Sequence, residues 1–280
     1  MKNYACFIIS TGRCGSQWLT RYLAHLSAQQ ANPTVVKHEP LGNLYDPLRN
    51  SPSTPLLNNK VQIEKHLNDI QGILSRGENY IETGFPCWRH IQWFKEKLKV
   101  PVKVIHLIRH PANTAISLLK LNAFVPPWLP HLPVKELFSP FAPEAKLTYY
   151  QQNWQQLSPF EKNLYYWGEV QLQALAYREH WQEKHWLQLS YEHLFTPDAL
   201  NKLAHFLNIT DPPNQYDDER LVGMHTKVDN YGNIPQANFT VEEVFHHRDI
   251  IKLAHALGYQ QLVPDKVFIS AGEKVPGISF

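Results

Sequence analysis

Short apolar runs alternate along this chain with longer stretches in which apolar residues recur three or four apart. Residues 4–10 (YACFIIS) are almost wholly apolar over a strand's length, the pattern of a strand buried on both faces of a parallel sheet. A polar loop with two glycines follows. From Trp18 the period becomes helical, with Trp18, Leu19, Tyr22, Leu23 and Leu26 on one face. The same reading predicts strands over 34–37, 79–83, 102–108 and 186–190. It predicts helices over 61–74, 88–97, from Pro111 through Leu119, 164–181, 197–207 and 241–257. Pro111 suits a helix start, because the N–H it lacks would have no intrahelical partner there.

The alternation of strand, loop and helix predicts an α/β fold with a mostly parallel central sheet flanked by helices in three layers. No internal repeat and no linker divides the chain, so a single domain over 1–280 is expected. Between 122 and 145 stand Pro126, Pro127, Pro130, Pro133, Pro140 and Pro143, among Phe124, Trp128, Phe138 and Phe141. That density of proline rules out a regular element. The segment reads as an aromatic-rich surface loop or lid, suited to stacking on an apolar or sugar ligand.

Composition narrows the classes. The chain has 280 residues, 43% hydrophobic and 19% charged, and a formal net charge of +2, so any anion site must be local. Three cysteines, Cys6, Cys14 and Cys87, do not make a disulfide framework. No apolar run approaches the roughly 18 residues of a membrane span. The first apolar run is also too short for a signal peptide. A free, soluble cytoplasmic enzyme is the expectation. Fifteen histidines raise the question of a metal, but no H-E-x-x-H or C-x-x-C spacing is present, and no metal site is expected.

The glycine loop carries the first chemistry. Ser10-Thr11-Gly12-Arg13-Cys14-Gly15-Ser16-Gln17-Trp18 joins a buried strand to a helix, where backbone N–H groups and the helix dipole favour anions. Gly12 and Gly15 let the backbone curl, Arg13 adds a charge and Ser16 a hydroxyl. A plain glycine turn would use the same residues. The G-x-x-x-x-G-K-[ST] loop of nucleoside triphosphatases is not matched, since no Gly-Lys pair follows Gly12. Cys14, at a predicted helix N-terminus, is either a reactive thiol or a small packing residue.

Gly12 through Trp18 resembles the shorter phosphate loop of the sulfotransferases, with Arg for Lys and Cys for Ser. Ile105 through Pro111, with Ser117 eight residues after Arg109, resembles that family's second signature: a strand, Arg-x-Pro, then a serine. Trp186 through Leu194 with Phe206-Leu207 is similar to a third segment. The resemblance spans about residues 4 to 207 and is nearer the bacterial and carbohydrate-type branch.

It implies a sulfotransferase that moves a sulfuryl group from 3′-phosphoadenosine 5′-phosphosulfate (PAPS) to a hydroxyl or amine, with no metal and with adenosine 3′,5′-bisphosphate as product. The phosphate loop, residues Gly12, Arg13, Cys14, Gly15, Ser16, Gln17 and Trp18, would hold the donor, and Arg13 would stabilise the leaving phosphate. Arg109 and Ser117 would bind the 3′-phosphate, Tyr191 and Trp18 the adenine, and Lys227 would stand in for a basic C-terminal segment. The implied partner is a small-molecule or carbohydrate acceptor, with neither nucleic acid nor membrane. Phenol- and steroid-type relatives carry a His base in Lys-Thr-His-x-Pro. Here Glu82-Thr83-Gly84-Phe85-Pro86 has Gly84 in its place. Other relatives use a Glu after the second strand, which points to Glu39 first, Glu82 second and His38 third. An ATP-dependent P-loop kinase and a non-catalytic nucleotide-binding protein are the alternatives.

Overall fold

The structure is a computed structural model that describes residues 3–28, 30, 32–42, 60–84, 88–127, 129, 131, 134–209 and 239–263. In chain order the elements are β1 (Ala5–Ile9), α1 (Ser16–Ala28), β2 (Thr34–His38), α2 (Lys60–Ser75), β3 (Asn79–Thr83), α3 (Ile91–Lys97) and β4 (Val102–Ile108). There follow α4 (Pro111–Leu119), α5 (Pro159–Arg178), β5 (Trp186–Ser190), α6 (Pro197–Phe206) and α7 (Arg248–Ala256). Short 3-10 turns lie at Thr148–Gln152, Glu183–His185 and Val241–His246. The five strands form one sheet in the order β2-β3-β1-β4-β5, and every pairing is parallel.

By its contacts the chain divides into two compact units, one of Met1–Leu44, Leu56–Ile108 and Gln173–His225, the other of Tyr45–Pro55, Arg109–Leu172 and Thr226–Phe280. The first unit holds the whole sheet. β1 and β4 are buried along their entire length, β1 with an unbroken apolar sequence and β4 with Lys103 and His106 buried among its apolar residues. Alternate residues then serve opposite layers. Cys6 and Ile8 of β1, Ile81 of β3, Ile105 and Leu107 of β4 and Leu189 of β5 pack against Leu19, Leu23 and Leu26 of α1 and Leu200 and Leu203 of α6. On the other face Phe7 stacks on Phe94 of α3 with ring centroids 5.3 Å apart, and Tyr80 meets Phe7 edge-on. Helices on both faces of a parallel sheet are the expected three layers. β1 lies between β3 and β4, and the chain leaves it toward β2 before crossing to β4. The loops at the carboxyl ends of these strands therefore stand at a switch in strand order, where open α/β sheets bind ligands.

In the second unit α5 is the organiser. Asn163, fully buried, donates from Nδ2 to the carbonyl of Ala123 (3.0 Å). Trp167 donates from Nε1 to the carbonyl of Arg109 (2.9 Å). Glu169 accepts from the backbone N–H groups of Lys146 (3.0 Å) and Leu147 (2.6 Å). One helix thus pins the start of the proline-rich segment, the residue after it and the Arg109 backbone.

Two expectations are corrected here. The aromatic residues of 122–145 do not form an open stacking surface, because Phe124 and Phe138 are buried in the second unit. Phe141 is exposed, and Trp128 lies outside the described residues. The helix expected over 241–257 is broken at His247 into a 3-10 turn and α7. His247 Nδ1 bonds the Tyr150 hydroxyl (2.8 Å) and its Nε2 bonds Glu161 Oε1 (3.1 Å), and these partners hold His247 in a non-helical conformation.

Candidate functional site

The glycine loop turns through left-handed backbone at Gly12 (φ 77°), Arg13 (φ 56°) and Gly15 (φ 77°), and α1 begins at Ser16. Its first turn contains no acidic residue, so nothing from α1 itself opposes an anion at the helix start. Arg13 is half-buried and Gln17 exposed. A side chain at Gly15 would come within 3.2 Å of the Tyr191 ring, so glycine is what lets Tyr191 lie directly on the loop. Tyr191 follows β5, and its N–H donates to the Ile108 carbonyl at the end of β4 (2.7 Å).

Two loop residues are buried in packing roles, for Cys14 one of the two that its sequence left open. Cys14 is fully buried, with Sγ against the Gly12 carbonyl (3.1 Å) and Thr11 Oγ1 (3.3 Å), so it packs and braces the loop and is no exposed thiolate. Trp18 is 6% exposed, stacked on Tyr22 at 4.9 Å and met edge-on by Phe195 at 4.8 Å. Its ring belongs to the core and offers no face for an adenine.

Next to the loop stand His38 and Glu39, at the carboxyl end of β2. Ser16 Oγ is 3.1 Å from His38 Nε2, and that nitrogen is 3.7 Å from Glu39 Oε1. Both side chains are about a quarter exposed, at 24% and 27%. Burial lowers the His38 pKa, opposed by the Glu39 charge and assisted by Arg21. Glu39 has φ 45°, although a residue before proline favours extended backbone. Two hydrogen bonds hold it there: Glu39 N–H to the Thr83 carbonyl (2.8 Å) and Gly42 N–H to the Glu39 carbonyl (2.8 Å). Its side chain lies over Gly84 (φ 115°). A Cβ at Gly84 would overlap Glu39 Cγ and sit 3.0 Å from Cδ and Oε1. The glycine found in place of a histidine is thus the space that Glu39 fills.

Glu82 is corrected. It lies on the opposite face of β3, almost fully buried, where Oε2 bonds His66 Nε2 of α2 (2.7 Å) and accepts from the Tyr80 hydroxyl (2.8 Å). It joins a helix to the sheet and has no access to the loop. Thr83, the next residue, faces the loop side and meets Thr20 of α1, Oγ1 to Oγ1 at 2.5 Å.

In the second unit, Arg109 follows β4 directly and is 7% exposed. His110 caps α4: its Nδ1 accepts from Asn113 N–H (3.5 Å) and its Nε2 bonds the Gln261 carbonyl (2.8 Å). A carbonyl accepts, so the proton is on Nε2 and Nδ1 is free to cap. The middle residue of Arg-His-Pro therefore ties the helix start to the segment after α7, a role the motif did not announce. Ser117 is half-buried in the second turn of α4. Lys227 lies outside the described residues. Among the described residues no group of three or more His, Cys, Asp or Glu is placed to hold a metal, and no helix is long and apolar enough to cross a membrane.

A family model described as "Sulfotransferase domain" matches residues 4–243. No curated protein sequence matches the chain. Among solved structures it is similar to the sulfotransferase domain from the curacin biosynthetic pathway, with 16% identity, a TM-score of 0.49, and coverage of 92% of this chain and 98% of that one. It is also similar to the sulfotransferase from Alicyclobacillus acidocaldarius, with 16% identity, a TM-score of 0.47 and coverage of 92% and 96%. The corresponding figures for mouse sulfotransferase SULT7A1 complexed with PAP are 14%, 0.48, 93% and 90%.

Proposed function

The chain belongs to the sulfotransferase domain family, and from that premise we propose that it transfers a sulfuryl group from PAPS to a hydroxyl of a small-molecule or carbohydrate acceptor. The observation that carries this reading is the placement of Glu39, a carboxylate about a quarter exposed and one imidazole away from the glycine loop.

In this reading the loop N–H groups and Ser16 hold the 5′-phosphosulfate, and Tyr191 flanks the adenine. Arg109 and Ser117 hold the 3′-phosphate, an assignment that rests on the Arg-x-Pro signature. Glu39 takes the proton from the acceptor hydroxyl as its oxygen bonds to sulfur and the bond from sulfur to the phosphate oxygen breaks. Arg13 stabilises the negative charge that develops on the departing phosphate, an interaction that matters most in the transition state. The free products are the sulfated acceptor and adenosine 3′,5′-bisphosphate. The proton rests on Glu39 until water removes it.

Two measurements test the proposal together. In calorimetry, adenosine 3′,5′-bisphosphate is expected to bind more tightly than ATP with Mg²⁺. With ³⁵S-labelled PAPS and a panel of phenols, alcohols and sugars, label is expected to move to at least one class. Tighter binding of ATP with Mg²⁺ would overturn the reading.

A further inference from the structure

The sequence offers His38 as a third-choice base, and its geometry gives it a different task. A hydroxyl has one proton to give and two lone pairs to receive with. If Ser16 gives its proton to an anionic oxygen of the donor, its oxygen must accept from elsewhere. The side-chain atom in contact with Ser16 Oγ is His38 Nε2, at 3.1 Å. If instead Ser16 gave its proton to His38, its lone pairs would face the anion, which repels them.

We infer that His38 is a positioning residue: its Nε2–H donates to Ser16 Oγ, commits the Ser16 proton to the donor phosphate, and so sets the donor loop for transfer next to Glu39. This rests on the reading of the loop as the PAPS site. The ring is in place for it, because β2 ends at His38 and α1 begins at Ser16, and the two elements pack together. The groups facing the imidazole are Ser16 and Arg21 of α1 and Glu39 beside it. Glu39 Oε1, at 3.7 Å from Nε2, is beyond hydrogen-bond range but within reach of a charge. Burial, which lowers the His38 pKa, favours the neutral ring.

The test is a double-mutant cycle on adenosine 3′,5′-bisphosphate affinity and on kcat, with melting temperature confirming that each variant is folded. His38→Ala is expected to weaken bisphosphate binding about three- to tenfold, the loss of one neutral hydrogen bond. His38→Gln keeps an N–H donor on a side chain of similar reach and is expected to restore most of that loss. In a Ser16→Ala background, His38→Ala should cost nothing further and His38→Gln should rescue nothing. If the His38→Ala and Ser16→Ala losses simply add, or if His38→Gln is no better than His38→Ala, His38 does not act through Ser16 and the inference falls while the PAPS reading stands. If the unaltered protein binds no bisphosphate at all, the reading and the inference fall together.

Discussion

Glu39 sits in left-handed backbone before a proline, a conformation that costs a non-glycine residue on the order of 1–3 kcal/mol. Its two backbone hydrogen bonds and the space above Gly84 hold it there. Glu39→Gln keeps the shape and removes the basicity, so it is expected to lower kcat by about 10² to 10⁴ while bisphosphate affinity changes little. Full activity in that variant would remove Glu39 from the chemistry. Gly84→Ala tests the same carboxylate from below, because the new methyl must push Glu39 aside. A displacement of about 1 Å at a reacting group costs on the order of 10²-fold, so kcat should fall by about that much with donor affinity nearly unchanged. An alanine variant with normal turnover would mean that the position of Glu39 is not critical. Glu82 shows what residue-level reading misses. Glu82 and Thr83 are neighbours in sequence, but strand alternation sends them to opposite layers, and only the pairing of His66 and Tyr80 with Glu82 shows which layer takes which.

At the scale of elements, the strands were the easiest to read. β3, β4 and β5 fall on the predicted bounds, because each run stops where polar loop sequence begins, although buried polar residues such as Glu82, Lys103 and His106 interrupt them. What the pattern could not supply was anything set by distant partners. The break at His247 depends on Tyr150 and Glu161, and the burial of Phe124 and Phe138 depends on packing far along the chain. The junction of β4 and α4 carries the Arg109-His110-Pro111 sequence, and Trp167 and His110 fix its backbone, through the Arg109 carbonyl and the start of α4. If Arg109 and Ser117 hold the 3′-phosphate, Arg109→Ala should weaken bisphosphate binding more than Ser117→Ala, since a charged hydrogen bond is about twice as strong as a neutral one. The Arg109→Ala loss should nearly vanish for adenosine 5′-phosphate, which has no 3′-phosphate. Equal losses for the two ligands would mean that Arg109 does not touch that group.

For the molecule as a whole, buried histidines set the response to acid. His90, fully buried at the start of α3, has its pKa pushed down to about 3, first by burial and then by the nearby charges of His66 and Arg89. Burial also lowers His247 and His38, although Glu161 and Glu39 oppose it. Unfolded, a histidine takes up a proton near pH 6.5. Between that value and about 3 the unfolded chain therefore binds a proton at position 90 that the folded chain refuses. For His90 the sign is fixed: its contribution is fully present above about pH 6.5 and falls as the pH drops, by about 1.4 kcal/mol per pH unit. Glu169, raised by burial, works the other way, since its folded form holds a proton more readily than its unfolded form. Its contribution grows as the pH falls toward the ordinary carboxylate range, so it offsets part of the histidine loss only at the acid end. Denaturant titrations at pH 7 and pH 5 should therefore show a clear loss of stability. His90→Asn keeps a polar side chain that cannot titrate, and it should remove about one histidine's share of that slope whatever it costs at pH 7. An unchanged pH slope in the variant would mean that His90 is protonated within the fold, and its burial next to Phe94 would then be no barrier to charge.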